Sequence, residues 1–219
     1  MKFHFILSVC FVAVAIYSVA GNQDLASVAH AVDEKYNHLK TLQADFTEIY
    51  RGVGVERTES GTVWLKKPGK MRWQYRSPRE KLFVSDGRDA WFWVAGERQV
   101  QRTKLKQLED LRSPIAFLLG KTKLEKELQN LSLAPDVSPS VPGDLVLRGV
   151  PRAMADRVNQ VALEVTPDNW IRRISIDQVD GSTTEYRFDN ERPDISVADT
   201  KFDFQLPAGA EVVDGSIGP

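Results

Sequence analysis

Leu25, Val28, Ala29, Val32, Tyr36 and Leu39 recur at helical spacing, which predicts an amphipathic helix with one buried stripe. Asp24 stands where a cap or a dipole-complementing acid belongs. From Leu42 the period becomes two. Leu42, Ala44 and Phe46, then Ile49, Val53 and Val55, predict one long strand, bulged near Gly52 and Gly54 and turned back at Glu59-Ser60-Gly61. Val63, Leu65 and Lys67 share a face of the next strand, with Trp64 and Lys66 on the other. Pro68-Gly69 predicts a turn, because Pro fixes φ and Gly accepts the positive φ required there.

Met71, Trp73 and Tyr75 then alternate with Arg72, Gln74 and Arg76, a strand with one apolar and one polar face. Residues 82–84 continue the pattern, Asp86-Gly87 predicts a hairpin, and residues 90–94 are apolar on both faces before a further strand near Val100. Such short connections allow only an antiparallel meander. Leu105, Leu108 and Leu111 return to helical spacing, and Ser113-Pro114-Ile115-Ala116-Phe117-Leu118-Leu119-Gly120 reads as a miniature helix with cap, N1 proline and terminal glycine. A helix this short does not persist in water on propensity alone, so Ile115, Phe117, Leu118 and Leu119 are expected to pack on the sheet. Leu124, Leu128 and Leu131 predict another helical turn or two.

Pro135, Pro139 and Pro142 mark a surface loop. Strands are expected at residues 145–147, 161–165, 171–176 and 183–188, and the chain closes with Phe202-Asp203-Phe204 and Val212-Val213. The fold class expected is mainly β with α: an incomplete antiparallel β-barrel of about ten or eleven strands, with an N-terminal helix and a helical lid over its concave face. Four of the five tryptophans, Trp64, Trp73, Trp91 and Trp93, fall within thirty residues of this sheet. So much aromatic surface must be hidden in a packed core or around a greasy ligand.

Lys2 followed by the apolar residues 3–19 and the small-residue site Ser18-Val19-Ala20 reads as a cleaved signal peptide over residues 1–20, leaving one domain over 21–219. Cys10, the one cysteine, lies inside that leader and is not placed for lipidation. A secreted chain without disulfides fits a periplasm-like space. Loss of Lys2 takes the formal net charge from −1 to −2, so no basic stripe for nucleic acid is expected.

His30 and His38 have no partners in a metal-binding motif, and Asp177 with Asp180 makes only half a calcium loop that a turn at Asp180-Gly181 explains. No nucleophile elbow, P-loop or dinucleotide fingerprint occurs, so neither enzyme activity nor a metal or other cofactor is expected.

The run Gly61-x-x-Trp64-x-Lys66-Lys67-Pro68-Gly69-Lys70-Met71-Arg72-Trp73-x-Tyr75-x-x-Pro78, then Val84-Ser85-Asp86-Gly87-x-x-Trp91-x-Trp93, strongly resembles the periplasmic outer-membrane lipoprotein carrier family, LolA. Phe46-Thr47, Ser113-Pro114-x-x-x-Leu118-Leu119-Gly120 and Asp199-x-x-Phe202-x-Phe204-x-x-Pro207-x-Gly209 extend the likeness across residues 24–213. The resemblance implies a half-barrel whose hydrophobic cavity, lined by Val63, Leu65, Met71, Trp73 and Phe92, holds lipoprotein acyl chains under the lid of Ile115, Phe117, Leu118 and Leu119. It also implies partners: an inner-membrane lipoprotein-releasing ABC transporter and an outer-membrane lipoprotein acceptor, served by a monomeric carrier. Where well-known members have a cavity-facing arginine that ties down the lid, this chain has Lys67, a point donor in place of a planar fork. The same fold also serves lipidated acceptors and envelope sensors. The missing lipidation site argues against the first, and the absence of a recognisable second domain against the second.

Overall fold

The computed structural model describes residues 24–106 and 123–215. It begins with α1 (Leu25–His38), whose Val28, Ala29, Val32 and Tyr36 are buried as the periodicity predicts. Six strands follow in sequence: β1 (Thr41–Gly52), β2 (Val55–Lys66), β3 (Lys70–Ser77), β4 (Lys81–Asp86), β5 (Asp89–Val94) and β6 (Gln99–Lys104). After a single helical turn, α2 (Leu124–Glu127), come β7 (Leu128–Leu133), β8 (Leu145–Pro151), β9 (Val158–Val165), β10 (Ile171–Gln178) and β11 (Thr183–Pro193). Short 3₁₀ turns lie at Arg152–Met154 and Asp199–Phe202, and β12 (Glu211–Asp214) ends the described chain.

All twelve strands form one open sheet in the order β12-β6-β5-β4-β3-β2-β1-β11-β10-β9-β8-β7, so the expected half-barrel is present with its two edges unjoined among the described residues. Trp73 on β3 and Tyr186 on β11 lie three strand positions apart, about 14 Å across a flat sheet. Their ring centroids are 5.8 Å apart, so the sheet curls toward that face. The face carrying Trp73 is concave.

Four local expectations are corrected. The first hairpin turns at Val53-Gly54, where Gly54 takes φ 70° and Gly52 pairs with Val55; residues 59–61 lie inside β2. Gly61 serves there as a crossing point: a Cβ would stand 2.0 Å from the Gln74 carbonyl oxygen of β3. Leu128 and Leu131 belong to a strand, because Asn130 at φ 55° and a register shift between Gln129 and Ser132 put an irregularity between them, breaking the simple alternation of a strand. Phe202 ends a 3₁₀ turn and is not in a strand. The sheet is antiparallel except at β12, which pairs parallel with β6 because the connection from β11 first crosses over β1–β6.

The core lies between α1 and the concave face, with contributions from β1–β3 and β7–β11. The convex face has its own cover. Residues 195–204 run across it, burying Phe202 completely, and Trp91 stacks on Phe204 at 5.8 Å and 4°. Lys66 Nζ donates to the Val197 carbonyl (2.7 Å) and Arg72 Nη1 to the Lys201 carbonyl (3.2 Å), while Lys66 and Lys70 both reach the Asp199 carboxylate.

Candidate functional site

Strand alternation builds the concave lining in rows. Ala44, Val63, Trp73, Phe83 and Phe92 occupy successive register positions across β1–β5, and Leu42, Leu65 and Met71 form the row beside them. Val63, Leu65, Met71 and Trp73 are all buried and packed together with the helix. Phe92 is half-buried and stands outside that packed group, farther along the row toward β6. At the centre Phe46 meets Trp73 at 4.7 Å and Tyr75 at 4.8 Å edge-on, and Trp73 also meets Phe188 at 6.2 Å. Beyond β1 the lining turns aliphatic, with Ile174 and Ile176 of β10, Leu163 and Val161 of β9 and Leu147 of β8.

Only one helix covers this surface among the described residues, and its attachments can be named. Lys67 Nζ donates to the carbonyls of Tyr36 and Asn37 (2.9 Å for Asn37), the last turn of α1, where helix carbonyls lack intrahelical partners. Burial lowers the Lys67 ammonium below the usual lysine range, against the opposing pull of Asp194. The Tyr36 hydroxyl accepts the Ile171 backbone N–H of β10 (3.0 Å), and burial raises its own ionisation far above the ordinary phenol. Tyr36 also meets Trp170 edge-on at 5.8 Å, with Lys35 Nζ 4.1 Å from the same indole. Asp33 accepts the Leu124 N–H at 3.1 Å. Where α1 joins β1, a shallow cleft open to solvent is lined by Leu39, Leu42, Leu65 and Lys67. Ile115, Phe117, Leu118 and Leu119 lie outside the described residues, so the contacts of Lys67 that can be stated are those to α1.

At the other end of the concave face the lining becomes polar. Glu48 of β1 faces Glu59 of β2 on one side and Tyr186 of β11 on the other. The Tyr75 hydroxyl donates to Glu48 (2.7 Å), and Tyr186 turns its hydroxyl to the same carboxylate. Lys81 is committed to Glu59 at 2.5 Å. Burial raises the Glu48 carboxyl above the usual value; the Tyr75 hydrogen bond opposes this, and the Glu59 charge adds to it. Arg57, exposed on the neighbouring row, lies over the Tyr50 ring at 4.9 Å.

Sequence reasoning placed Tyr36 on the buried stripe of α1 but not the bond its hydroxyl makes, and it passed over Glu48 and Tyr186. For Glu48 a signal existed, since it shares strand parity with Leu42, Ala44 and Phe46 and so must face inward. The joint between Tyr36 and Ile171 spans 135 residues and had none. Elsewhere the buried Glu164 accepts Ser140 N–H (2.8 Å) and pairs with Arg173 (2.8 Å), which ties the proline loop to the convex side. Among the described residues no three of His, Cys, Asp and Glu converge as a metal site, and no helix is long and apolar enough to cross a membrane.

Comparison with known proteins places these features in context. The chain is similar to the outer-membrane lipoprotein carrier protein of Dechloromonas aromatica (31% identity over 194 residues; 86% of this chain, 90% of that one). It is similar also to that of Nitrosospira multiformis (28% over 177 residues; 80% and 82%). Among solved structures, an uncharacterized conserved protein of Thermus thermophilus shares the fold with a TM-score of 0.53 at 15% identity (86% of this chain, 97% of that one). The Mycobacterium tuberculosis lipoprotein LppX does so with a TM-score of 0.50 at 12% identity (80% and 98%). Residues 37–205, which carry eleven of the twelve strands of the open half-barrel, match the family model of the outer membrane lipoprotein carrier protein LolA, and the chain belongs to that family.

Proposed function

We propose that this protein takes lipoproteins from the inner membrane, shields their acyl chains on its concave face, and delivers them to an acceptor in the outer membrane. The observation that carries the reading is the asymmetry of the lining. A curled, aromatic and aliphatic face spanning more than half of the strands is covered by one amphipathic helix where a second sheet would otherwise stand. Each acyl CH₂ hidden from water is worth about 0.8 kcal/mol, so a surface of this kind holds chains that could not otherwise cross an aqueous space. Val63, Leu65, Met71, Trp73 and Phe92 are the contact residues of this proposal. Ile115, Phe117, Leu118 and Leu119 are its lid, and Lys67 its latch. An inner-membrane ABC transporter is the donor. No reacting group is required, since loading and release exchange one apolar contact set for another.

The test is release. Spheroplasts that retain newly made lipoproteins should shed them into the medium as soluble one-to-one complexes when the mature protein is added. Retention of all lipoprotein on the spheroplasts would overturn the reading. The periplasmic site is tested separately by N-terminal sequencing, which should find Gly21 first; a retained Met1 would refute it.

A further inference from the structure

The polar end of the concave face remains unexplained by acyl-chain shielding. Two carboxylates, Glu48 and Glu59, stand directly opposite each other on paired strands, an arrangement that costs stability when both are charged. Lys81 neutralises Glu59, with Nζ within 2.7 Å of both its oxygens. Among the described residues no cation comes within ion-pairing distance of Glu48, whose direct donor is the neutral hydroxyl of Tyr75, with that of Tyr186 turned toward it. The site is also roofed by aromatic surface, because Tyr75 touches Phe46 at 4.8 Å and Tyr186 touches Trp73 at 5.8 Å. Glu48 is thus a half-buried carboxylate with no ion pair at contact distance among the described residues, although Lys81 and Arg57 act on its charge from farther away. Flanked by tyrosine rings and continuous with the aromatic lining, it has the composition that receives a cationic nitrogen.

We propose that Glu48, Tyr75 and Tyr186 form a binding site for an ammonium group carried at the polar end of an acylated ligand whose chains lie against Phe46 and Trp73. This rests on the carrier reading and adds a polar anchor to it. The ammonium would sit beside Glu48, donate hydrogen bonds to its carboxylate, and supply the contact ion pair that no described residue makes with it. Arg57 and Lys81 bound the site on the β2 and β4 sides. Both would repel a cationic head, so its attraction to Glu48 at contact has to exceed their repulsion from farther away.

Trp73 fluorescence of the mature full chain provides the readout. Dodecylammonium and the neutral 1-dodecanol are titrated below their aggregation limits. The wild type should bind dodecylammonium about tenfold more tightly, the worth of one charge-assisted contact. Glu48→Gln, a near-isosteric change that keeps an acceptor for Tyr75, should abolish the preference and leave dodecanol binding unchanged. Tyr186→Phe should reduce it by a smaller factor. Equal affinity of the wild type for the two amphiphiles, or a preference that survives Glu48→Gln, overturns the site while leaving the carrier reading intact. Binding of neither amphiphile overturns both. The source of the nitrogen is distinguished by two further pairs. A diacylated lipopeptide with a free α-amine is set against its N-acetyl form, and short-chain phosphatidylethanolamine against phosphatidylglycerol. Discrimination within the first pair assigns a lipid-modified polypeptide terminus, discrimination within the second a membrane lipid, and discrimination within neither refutes the proposal.

Discussion

The two faces of the sheet are covered in contrasting ways. On the convex face, residues 195–204 lie in extended and 3₁₀ form, with Phe202 wholly buried and three basic side chains from β2 and β3 fastened to the segment's backbone and to Asp199. On the concave face, α1 presents four buried side chains and is fastened at a few points, chiefly Lys67 and the Tyr36 hydroxyl. The convex cover is continuous with the strand on one side and ends in β12 on the other, so it has nowhere to go. The concave cover joins the sheet through the short connection at Leu39 and Lys40. Apolar surface closed permanently stabilises a fold; apolar surface closed by a separable helix can exchange that helix for a ligand.

The largest effect expected is at the convex face. Phe202→Ala should lower unfolding free energy by about 3–5 kcal/mol, as for other fully buried aromatics, while the folded fraction binds lipopeptide as before; urea denaturation with parallel binding assays measures both. Tyr36→Phe leaves the Ile171 N–H without its acceptor and should cost about 1–3 kcal/mol. This variant tests whether α1 competes with ligand for the concave face: competition would make it bind acylated ligands more tightly than the wild type. If Phe202→Ala tightened binding and Tyr36→Phe did not, the contrast between the covers would be reversed. Lys67→Met removes donors to two helix-end carbonyls and should cost about 1 kcal/mol, again with tighter binding.

The smallest effect is in pH dependence, and its sign differs between the faces. Glu48 has its folded pKa raised above 4.5 by burial, so its contribution to stability is complete below that value and is lost as pH rises through the folded pKa. Asp199 has its folded pKa lowered below 3.8 by hydrogen bonds from Lys66 and Lys70, so its contribution is present above that value and lost as pH falls. Stability of the wild type relative to Glu48→Gln should therefore decline on going from pH 4.5 to neutrality. Relative to Asp199→Asn it should decline on acidification. Parallel slopes for the two pairs would contradict the assignment.

What the chain discloses in advance follows the range of the forces involved. The periods of α1 and β3 are local, and both elements lie where residues 25–38 and 70–77 announce them. The β1–β2 turn was misplaced because Gly61 resembles a turn residue, whereas its role is close approach to Gln74 on the neighbouring strand. Leu124, Leu128 and Leu131 fit a helix equally well until Asn130 adopts a positive φ, which no periodicity reveals. At the site, Met71 and Trp73 were legible from alternation. Glu48 was legible from parity but reads as an ordinary solvent-facing acid. The convex cover depends on Phe202 meeting strands more than a hundred residues earlier, and a pairing that distant leaves no local trace.

The hydrogen bond that closes the start of β10 is made by a side chain from another element. Most ladder amides exchange their protons with solvent only when strands separate. The Ile171 amide should instead exchange whenever α1 lifts, whatever the state of the sheet around it. Its exchange rate in heavy water, compared with that of Ile174 on the same strand, is then a natural gauge of how often the half-barrel opens. Cargo that displaces the helix would be registered at this one proton without any label.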